Sequence, residues 1–374
     1  MITAFALRHF KRFRGVRLSW EPLTVLAGPN GAGKTSLIHA LLLARQAALT
    51  PSARFVDLNG PYDLSLGDAL DVLNRDSPDQ SIQIEVFDGV GSAAEWRLAV
   101  PGQERALNLE VVQRPDGYVG VLAQPEPQFT YLCAERLGPR DVLGTDSAAL
   151  ERLGVGVHGE LTAQVLAVHQ RYRVPATRCI DSPDPDVSTL ATLQYQVEWW
   201  MRRLVRPIQI NAEWFPGTNV TRLQFRTPGV HSEWTRPPNM GFGVSYALPI
   251  VVAALRAPEG GILIVENPEA HLHPAGQSAM GELLALAAGD GVQVVVETHS
   301  DHVINGIRRA VVEGIVRLQP QQVVIHFVRD EPADEPVTTI ELDQTGTPSA
   351  WPPGFFDQIE RDLGRIARKR INRT

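Results

Sequence analysis

Apolar positions fall along this chain in two rhythms. Short stretches at 3–7, 23–27, 81–87, 95–100 and 127–134 predict strands, and those at 81–87 and 95–100 alternate as half-buried antiparallel strands do. The runs GILIVEN (261–267) and VQVVVETHS (292–300) are apolar at consecutive positions, which predicts strands covered on both faces. Helical spacing marks 34–48, 158–171, 187–204, 245–256, 275–288 and 301–313, with further strands expected near 207–212 and 220–226. Turn formers dominate 49–68, which predicts a loop. The apolar helix 245–256 contains Pro249, which a helix tolerates in its first turn, so the pattern places it there. From 245 onward strands and helices alternate, the order of a parallel α/β sheet. No internal repeat, low-complexity tract or sustained heptad interrupts this organisation.

At 374 residues the chain is long enough for two units, or for one core with a large insertion, given ~100–200 residues per domain. Hydrophobic residues make up 44% and charged residues 21%, which excludes wholesale disorder. No apolar run approaches the ~18 residues of a membrane span, so no membrane partner is expected. The N-terminus has no signal-peptide core, and two cysteines, Cys133 and Cys179, cannot build a disulfide framework. Both features predict a reducing, cytoplasmic setting.

The net charge of −7 gives no global pull toward nucleic acid. Any such contact is local, and its footprint is the basic tail of Arg365, Arg368, Lys369, Arg370 and Arg373. The competing reading of that tail is a solvated helix face. Lysine is scarce, at Lys11, Lys34 and Lys369 alone, so a lysine at a demanding position is informative.

One of the three completes G-x-x-x-x-G-K-[ST]: Gly28-Pro29-Asn30-Gly31-Ala32-Gly33-Lys34-Thr35, followed by Ser36. The segment lies between an apolar strand and a helix, where its glycines let backbone N–H groups turn inward around a polyphosphate. The helix N-terminus adds positive potential at the same anion. Asn30, Gly31, Ala32, Gly33, Lys34, Thr35 and Ser36 are therefore the expected nucleotide-binding residues, with Lys34 on the β/γ-phosphates and the Thr35 hydroxyl on Mg²⁺.

A phosphate loop of this kind needs a carboxylate on a neighbouring strand to hold Mg²⁺. Glu266 ends the apolar run of 261–267 and supplies it, at the strand edge where α/β sheets bind ligands. His299, after the apolar run 292–296, is placed to sense the γ-phosphate; the alternative is a structural or surface histidine. His271-Leu272-His273 has the form of a metal-ligating pair, but no further ligand follows at a recognisable spacing. Arg136 and Arg140, beside Glu135 and Gly138, either reach phosphate or a partner subunit, or pair with carboxylates such as Asp141. Residues 351–356 (WPPGFF) predict a hydrophobic plug.

Together these residues resemble the ABC-type ATPase heads of the Rad50, SMC, RecF and OLD group: an aromatic-basic stretch (His9-Phe10-Lys11-Arg12-Phe13), GPNGAGKT, VENPEAHLHP and ETHSD, in that order. A closer resemblance is to bacterial AAA-family ATPases that carry a C-terminal DUF3696 segment, on AERLGPR (134–140), NMGFGVSYALPI (239–250) and WPPGFFDQ (351–358). The resemblance implies a P-loop NTPase of α/β class, with an ABC-head-like mixed sheet flanked by helices, an inserted helical/β region and a short C-terminal segment. It divides the chain into a P-loop half (1–140), a mainly helical insertion (141–206), a second half of the head (207–318) and a DUF3696-like segment (319–374).

It also implies an ATP-sandwich homodimer in which one copy's P-loop faces the other's signature segment. Asn239, Gly241, Gly243 and Ser245 occupy the signature position, where glycines and a serine at a helix N-terminus suit a γ-phosphate; a tight turn before the helix is the other reading. Leu272-His273-Pro274 matches the D-loop, and Phe10 or Phe13 lies either beside adenine or in a hairpin core. The resembled families carry Asp-Glu where this chain has Glu266-Asn267. Asparagine positions water but cannot accept its proton, so hydrolysis is expected to be slow or to use Glu269. The catalytic set is then Glu266, Asn267, Glu269 and His299, with ATP and Mg²⁺ as cofactors.

The chain has neither a long coiled coil nor a D-x-D within 320–374, which predicts that effector chemistry comes from a separate protein. The expected function is an ATP-driven dimer switch in an anti-phage defence or DNA-maintenance system. The alternative is a nucleotide-dependent scaffold with little turnover that regulates a nuclease or toxin.

Overall fold

The computed structural model describes all residues except 92, 103–104, 118–119, 180–190, 216, 230–232, 331–334, 356–361, 367 and 369–374. Its first strands are β1 (Ile2–Phe10), β2 (Phe13–Ser19) and β3 (Leu23–Ala27), followed by helix α1 (Lys34–Leu49). Next come the short strands β4 (Phe55–Asp57), β5 (Asn59–Gly60) and β6 (Leu64–Ser65), a four-residue helix α2 (Ala69–Val72), then β7 (Ser81–Asp88), β8 (Ala93–Ala99) and β9 (Asn108–Gln113). The middle of the chain holds β10 (Phe129–Leu132), β11 (Val142–Leu143), α3 (Thr162–His169), α4 (Leu193–Leu204), β12 (Gln209–Trp214) and β13 (Thr221–Arg226). The last part alternates α5 (Phe242–Arg256), β14 (Ile262–Glu266), α6 (Pro274–Gly289), β15 (Gln293–Glu297), α7 (Asp301–Val312), β16 (Val323–Val328) and β17 (Val337–Glu341).

Two six-stranded sheets carry the structure. One is antiparallel, in the order β2-β1-β7-β8-β9-β4. The other runs β10-β14-β15-β3-β16-β17, parallel except for its β17 edge. Side chains alternate across the parallel sheet and separate two cores. Leu26, Ile262, Ile264 and Val295 face α1, which is packed between the sheets against β1, β4 and β7. Leu23, Val25, Leu263, Val265, Val294 and Val296 face the opposite way, onto the core built by α3–α7. Each of these strand residues is at most 1% exposed, and a fully buried side chain of this size stabilises by about 1.5–3 kcal/mol.

Several expectations from the pattern need correction. The 49–68 segment is not structureless, since β4, β5 and β6 lie in it. Strands β2 and β9 were not legible, because both mix charges with apolar residues at sheet positions that are half exposed. Helix α3 is shorter than 158–171, and α4 begins at Leu193 rather than 187; 187–190 lie outside the described residues. Helix α5 begins at Phe242, so Pro249 lies in its interior rather than its first turn. The Pro249 ring packs against Gly159, where any Cβ would come within 2.3 Å of it. Phe10 and Phe13 pair across the β1–β2 hairpin and are fully buried, so both belong to the core.

Candidate functional site

The carboxyl edges of β3, β15 and β14 stand side by side and deliver the polar groups. After β3 the chain enters the phosphate loop, where Gly28, Gly31 and Gly33 all take positive φ. Gly28 admits no side chain, since a Cβ would lie 2.3 Å from the Val328 carbonyl oxygen; Gly31 faces open space. Arg12 braces the loop by donating to the Ala32 carbonyl at 2.8 Å. No side chain caps the N-terminus of α1, which leaves its dipole directed at whatever enters the loop. Lys34 is 3% exposed and its ammonium donates to the Gly28 and Pro29 carbonyls at 3.0 and 2.9 Å. Asn30 and Gly31 are exposed, Ala32 is buried, and Gly33, Thr35 and Ser36 are half-buried.

Beside this loop sit two buried carboxylates. Glu266 ends β14, Glu297 ends β15, and the two are register partners on adjacent parallel strands. The Thr35 hydroxyl donates to Glu297 at 2.9 and 3.0 Å, and the Lys34 ammonium lies 3.9 Å from the same carboxylate. Glu266 accepts from the Tyr131 hydroxyl at 3.0 Å. Burial, with Glu297 adding repulsion, pushes the Glu266 carboxyl up to about 8; burial also raises Glu297. Two such carboxylates, a hydroxyl and a lysine form an oxygen-rich donor set that suits Mg²⁺ and a polyphosphate. Mg²⁺ supplies charge neutralisation of the phosphates when bound. Thr35, Glu266 and Glu297 are the residues fitted to hold it.

Glu297 was missed at the sequence level, although it ends an apolar strand just as Glu266 does. The sequence places Thr35 and Glu266 together as metal ligands; the direct partner of Thr35 in the structure is Glu297, with Glu266 one strand further.

The loop after β14 is held in an unusual backbone state. Asn267 adopts φ 44°, and its side-chain Oδ1 is buried with no hydrogen-bond partner. Arg136, 2% exposed, clamps this turn by donating to the carbonyls of Cys133 (3.1 Å), Glu266 (2.6 Å) and Asn267 (2.5 Å). Its guanidinium also lies over the Tyr246 ring. Both Glu269 oxygens are engaged, accepting from the Thr298 hydroxyl and the His299 backbone N–H at 2.7 Å each. His299 lies exposed at the rim, and burial together with the Lys34 ammonium holds its imidazole below the usual value.

The signature-like segment packs against the loop after β14, through Tyr246 under Arg136 and Gly243 against His271. Gly241 (φ 87°) caps α5, and Gly243 is pressed against the His271 carbonyl, where a Cβ would stand at 2.7 Å. Asn239 and Gly241 are exposed and Ser245 is half-buried. Phe242, Tyr246 and His271 form an aromatic group with ring separations of 4.6–6.3 Å. Of the DUF3696-like stretch, Phe355 is the plug, buried between Phe327 and Trp351; 356–358 lie outside the described residues. Arg365 and Arg368 are exposed, while Lys369, Arg370 and Arg373 lie outside the described residues.

A family model described as "AAA domain, putative AbiEii toxin, Type IV TA system" matches residues 23–114 and 194–305, more than half of the chain. The chain belongs to this AAA-domain family. Residues 318–366 match the DUF3696 model, a segment of unknown function. An OLD nuclease of Thermus scotoductus is 24% identical over 360 residues, which cover 88% of this chain and 65% of that protein. The chain thus spans less than two thirds of that relative's length. Two solved SMC heads share the fold: one bound to the C-winged helix domain of ScpA (TM-score 0.50, 13% identity, 92% of this chain and 98% of that one), and one with an extended coiled coil, from Pyrococcus furiosus (TM-score 0.51, 12% identity, 98% and 99%). The family and the P-loop support a nucleotide-binding ATPase, and the SMC heads show the fold it is built on. Among the described residues no helix is long and apolar enough to cross a membrane.

The raised Glu266 carboxyl makes a pH prediction for this AAA-domain protein without nucleotide. A carboxyl that titrates near 8 when folded and near 4.5 when unfolded favours the fold at low pH and loses that contribution as pH rises from about 4.5 to 8. Wild type minus Glu266→Gln, by chemical denaturation, is expected to fall across that window by no more than about 1.4 kcal/mol per pH unit. A difference that rises with pH contradicts it.

Proposed function

We propose that the protein is an ATP-dependent switch. Mg²⁺-ATP bound to the P-loop of one copy is closed over by the signature-like helix of a second copy, and the closure is passed to a separate effector in a defence or DNA-maintenance system. The observation that carries this reading is the placement of the two helices. Helix α1 packs in the core between the sheets and α5 in the core on the opposite face of the parallel sheet, so the two anion-directed N-termini of one chain lie on different sides. A second copy supplies the missing half. The exposed Phe242 ring offers it an apolar contact, and the flanking Gly241 has open space around it.

Turnover is slow in this proposal. Asn267 orients water through its buried, partnerless Oδ1 but takes no proton from it, and Glu269 has both oxygens committed to the loop that carries His299. That engagement favours the scaffold variant, in which bound ATP holds the dimer for long periods. Phosphate release from wild type and Asn267→Glu separates the two: a gain of ~10-fold or more in the variant is expected from a restored base. Equal rates for the two proteins would remove the asparagine argument and return Glu269 to consideration.

A further inference from the structure

Outside the nucleotide site, three side chains from distant parts of the chain converge. Asp63 lies in the single turn between β5 and β6, Cys133 follows β10, and His158 lies in the turn before α3. One ligand atom from each lies within 4.8 Å of the others. The chain is built to hold this arrangement. Residues 157–158 run alongside 133–137, with the Cys133 and Leu137 N–H groups donating to the Val157 and His158 carbonyls at 3.1 and 2.8 Å. Glu160 accepts from the His158 backbone N–H at 2.8 Å.

The hydrogen bonding around the imidazole points to a cation. Nδ1 lies 2.6 Å from the Glu135 carbonyl oxygen, a separation that requires the proton on Nδ1. Backbone-carbonyl anchoring of one ring nitrogen is how metal-binding histidines are oriented. Nε2 then faces the Asp63 carboxylate at 3.6 Å, so two lone-pair-bearing groups oppose each other unless a proton or a metal ion stands between them. The third group favours the ion: the Cys133 sulfur, whose thiol donates to the Glu135 carbonyl at 3.2 Å, lies 3.3 Å from Nδ1, and a metal ion on Nε2 and Asp63 draws it in as a thiolate in exchange for that bond. Thiolate, imidazole and carboxylate together make a borderline-soft donor set, unlike the all-oxygen set beside Lys34.

We propose that Asp63, Cys133 and His158 bind a zinc-type divalent cation, with a fourth position open to water. Tetrahedral zinc ligands of these types stand roughly 3.4–3.6 Å apart, so the exposed Asp63 and half-exposed His158 must shift to turn Nε2 toward the buried sulfur, which now lies beside Nδ1. The ion ties the β5–β6 turn, the end of β10 and the turn before α3 to one another. This site is independent of the nucleotide reading.

The test uses the full chain, stripped with chelator, kept reduced and saturated with Mg²⁺ before titration with Co²⁺. One Co²⁺ per chain is expected, with a thiolate-to-cobalt charge-transfer band and tetrahedral d–d bands in the visible. Oxygen-only sites such as that of Glu266 and Glu297 give neither. Cys133→Ser is expected to lose the charge-transfer band and Cys179→Ser to keep it. Asp63→Asn and His158→Gln, which retain the sulfur, should weaken Co²⁺ binding by about 10-fold or more. Absence of the band in wild type overturns the site. So does a band that survives Cys133→Ser, or affinity unchanged in both Asp63→Asn and His158→Gln.

Discussion

Lys34→Ala is expected to weaken ATP binding by about 10²–10³-fold while leaving the protein folded. The Lys34 ammonium is buried against the Gly28 and Pro29 carbonyls and the Glu297 carboxylate, so its charge is held ready for the phosphates. Hydrogen bonds to charged groups contribute roughly 1.5–3 kcal/mol each, and two phosphate contacts of that kind account for the loss at ~1.4 kcal/mol per decade. Removing the ammonium also removes the cation that offsets Glu297, whose carboxyl then rises further and holds Mg²⁺ less well at neutral pH. Calorimetric titration with ATP reads the effect directly. An affinity within about three-fold of wild type would mean that nucleotide is not held by this loop.

Arg136→Ala should cost about 3–5 kcal/mol of stability. This arginine is the largest loss available near the site, because it satisfies the carbonyls of Cys133, Glu266 and Asn267 at once. The Asn267 carbonyl keeps the Ala270 N–H at 3.1 Å, while each buried carbonyl left without a donor costs about 1–3 kcal/mol. The variant also releases the turn that keeps Asn267 at positive φ, so turnover is expected to change together with stability. Arg136→Lys restores little, since one ammonium cannot reproduce the planar fork that reaches three acceptors. Urea denaturation decides it, and a loss below about 1 kcal/mol would show that the clamp is not what holds the turn.

The parts of the site carried by strongly patterned segments were legible before the structure. GPNGAGKT between an apolar strand and a helix, and Glu266 at the end of four apolar residues, lie where their spacing places them. Glu297 carries the same mark at the end of β15, but that strand end also presents His299 two residues later, a second candidate for the same edge. Arg136 was undecidable from sequence: its partners are main-chain carbonyls, two of them at Glu266 and Asn267 on a distant strand end, and no residue type signals those. Short strands such as β2 and β9 escaped notice because they interleave charges with apolar residues, so neither gives a clean alternating pattern. Pro249 lies inside α5 rather than in its first turn because the helix starts at Phe242, after Gly241 at positive φ, three residues before the apolar spacing begins.

The most direct test of the two-copy site is a mixing experiment. Lys34→Ala removes one half of each composite site and Ser245→Glu, which sets a carboxylate against the γ-phosphate, removes the other. A mixed dimer of the two contains one site with both defects and one with neither. The account predicts that each variant alone is inactive in phosphate release and that mixing them restores a substantial fraction of wild-type turnover. Activity that stays at the level of the separate variants, in mixtures shown by mass to contain the mixed dimer, would contradict a nucleotide shared between two copies.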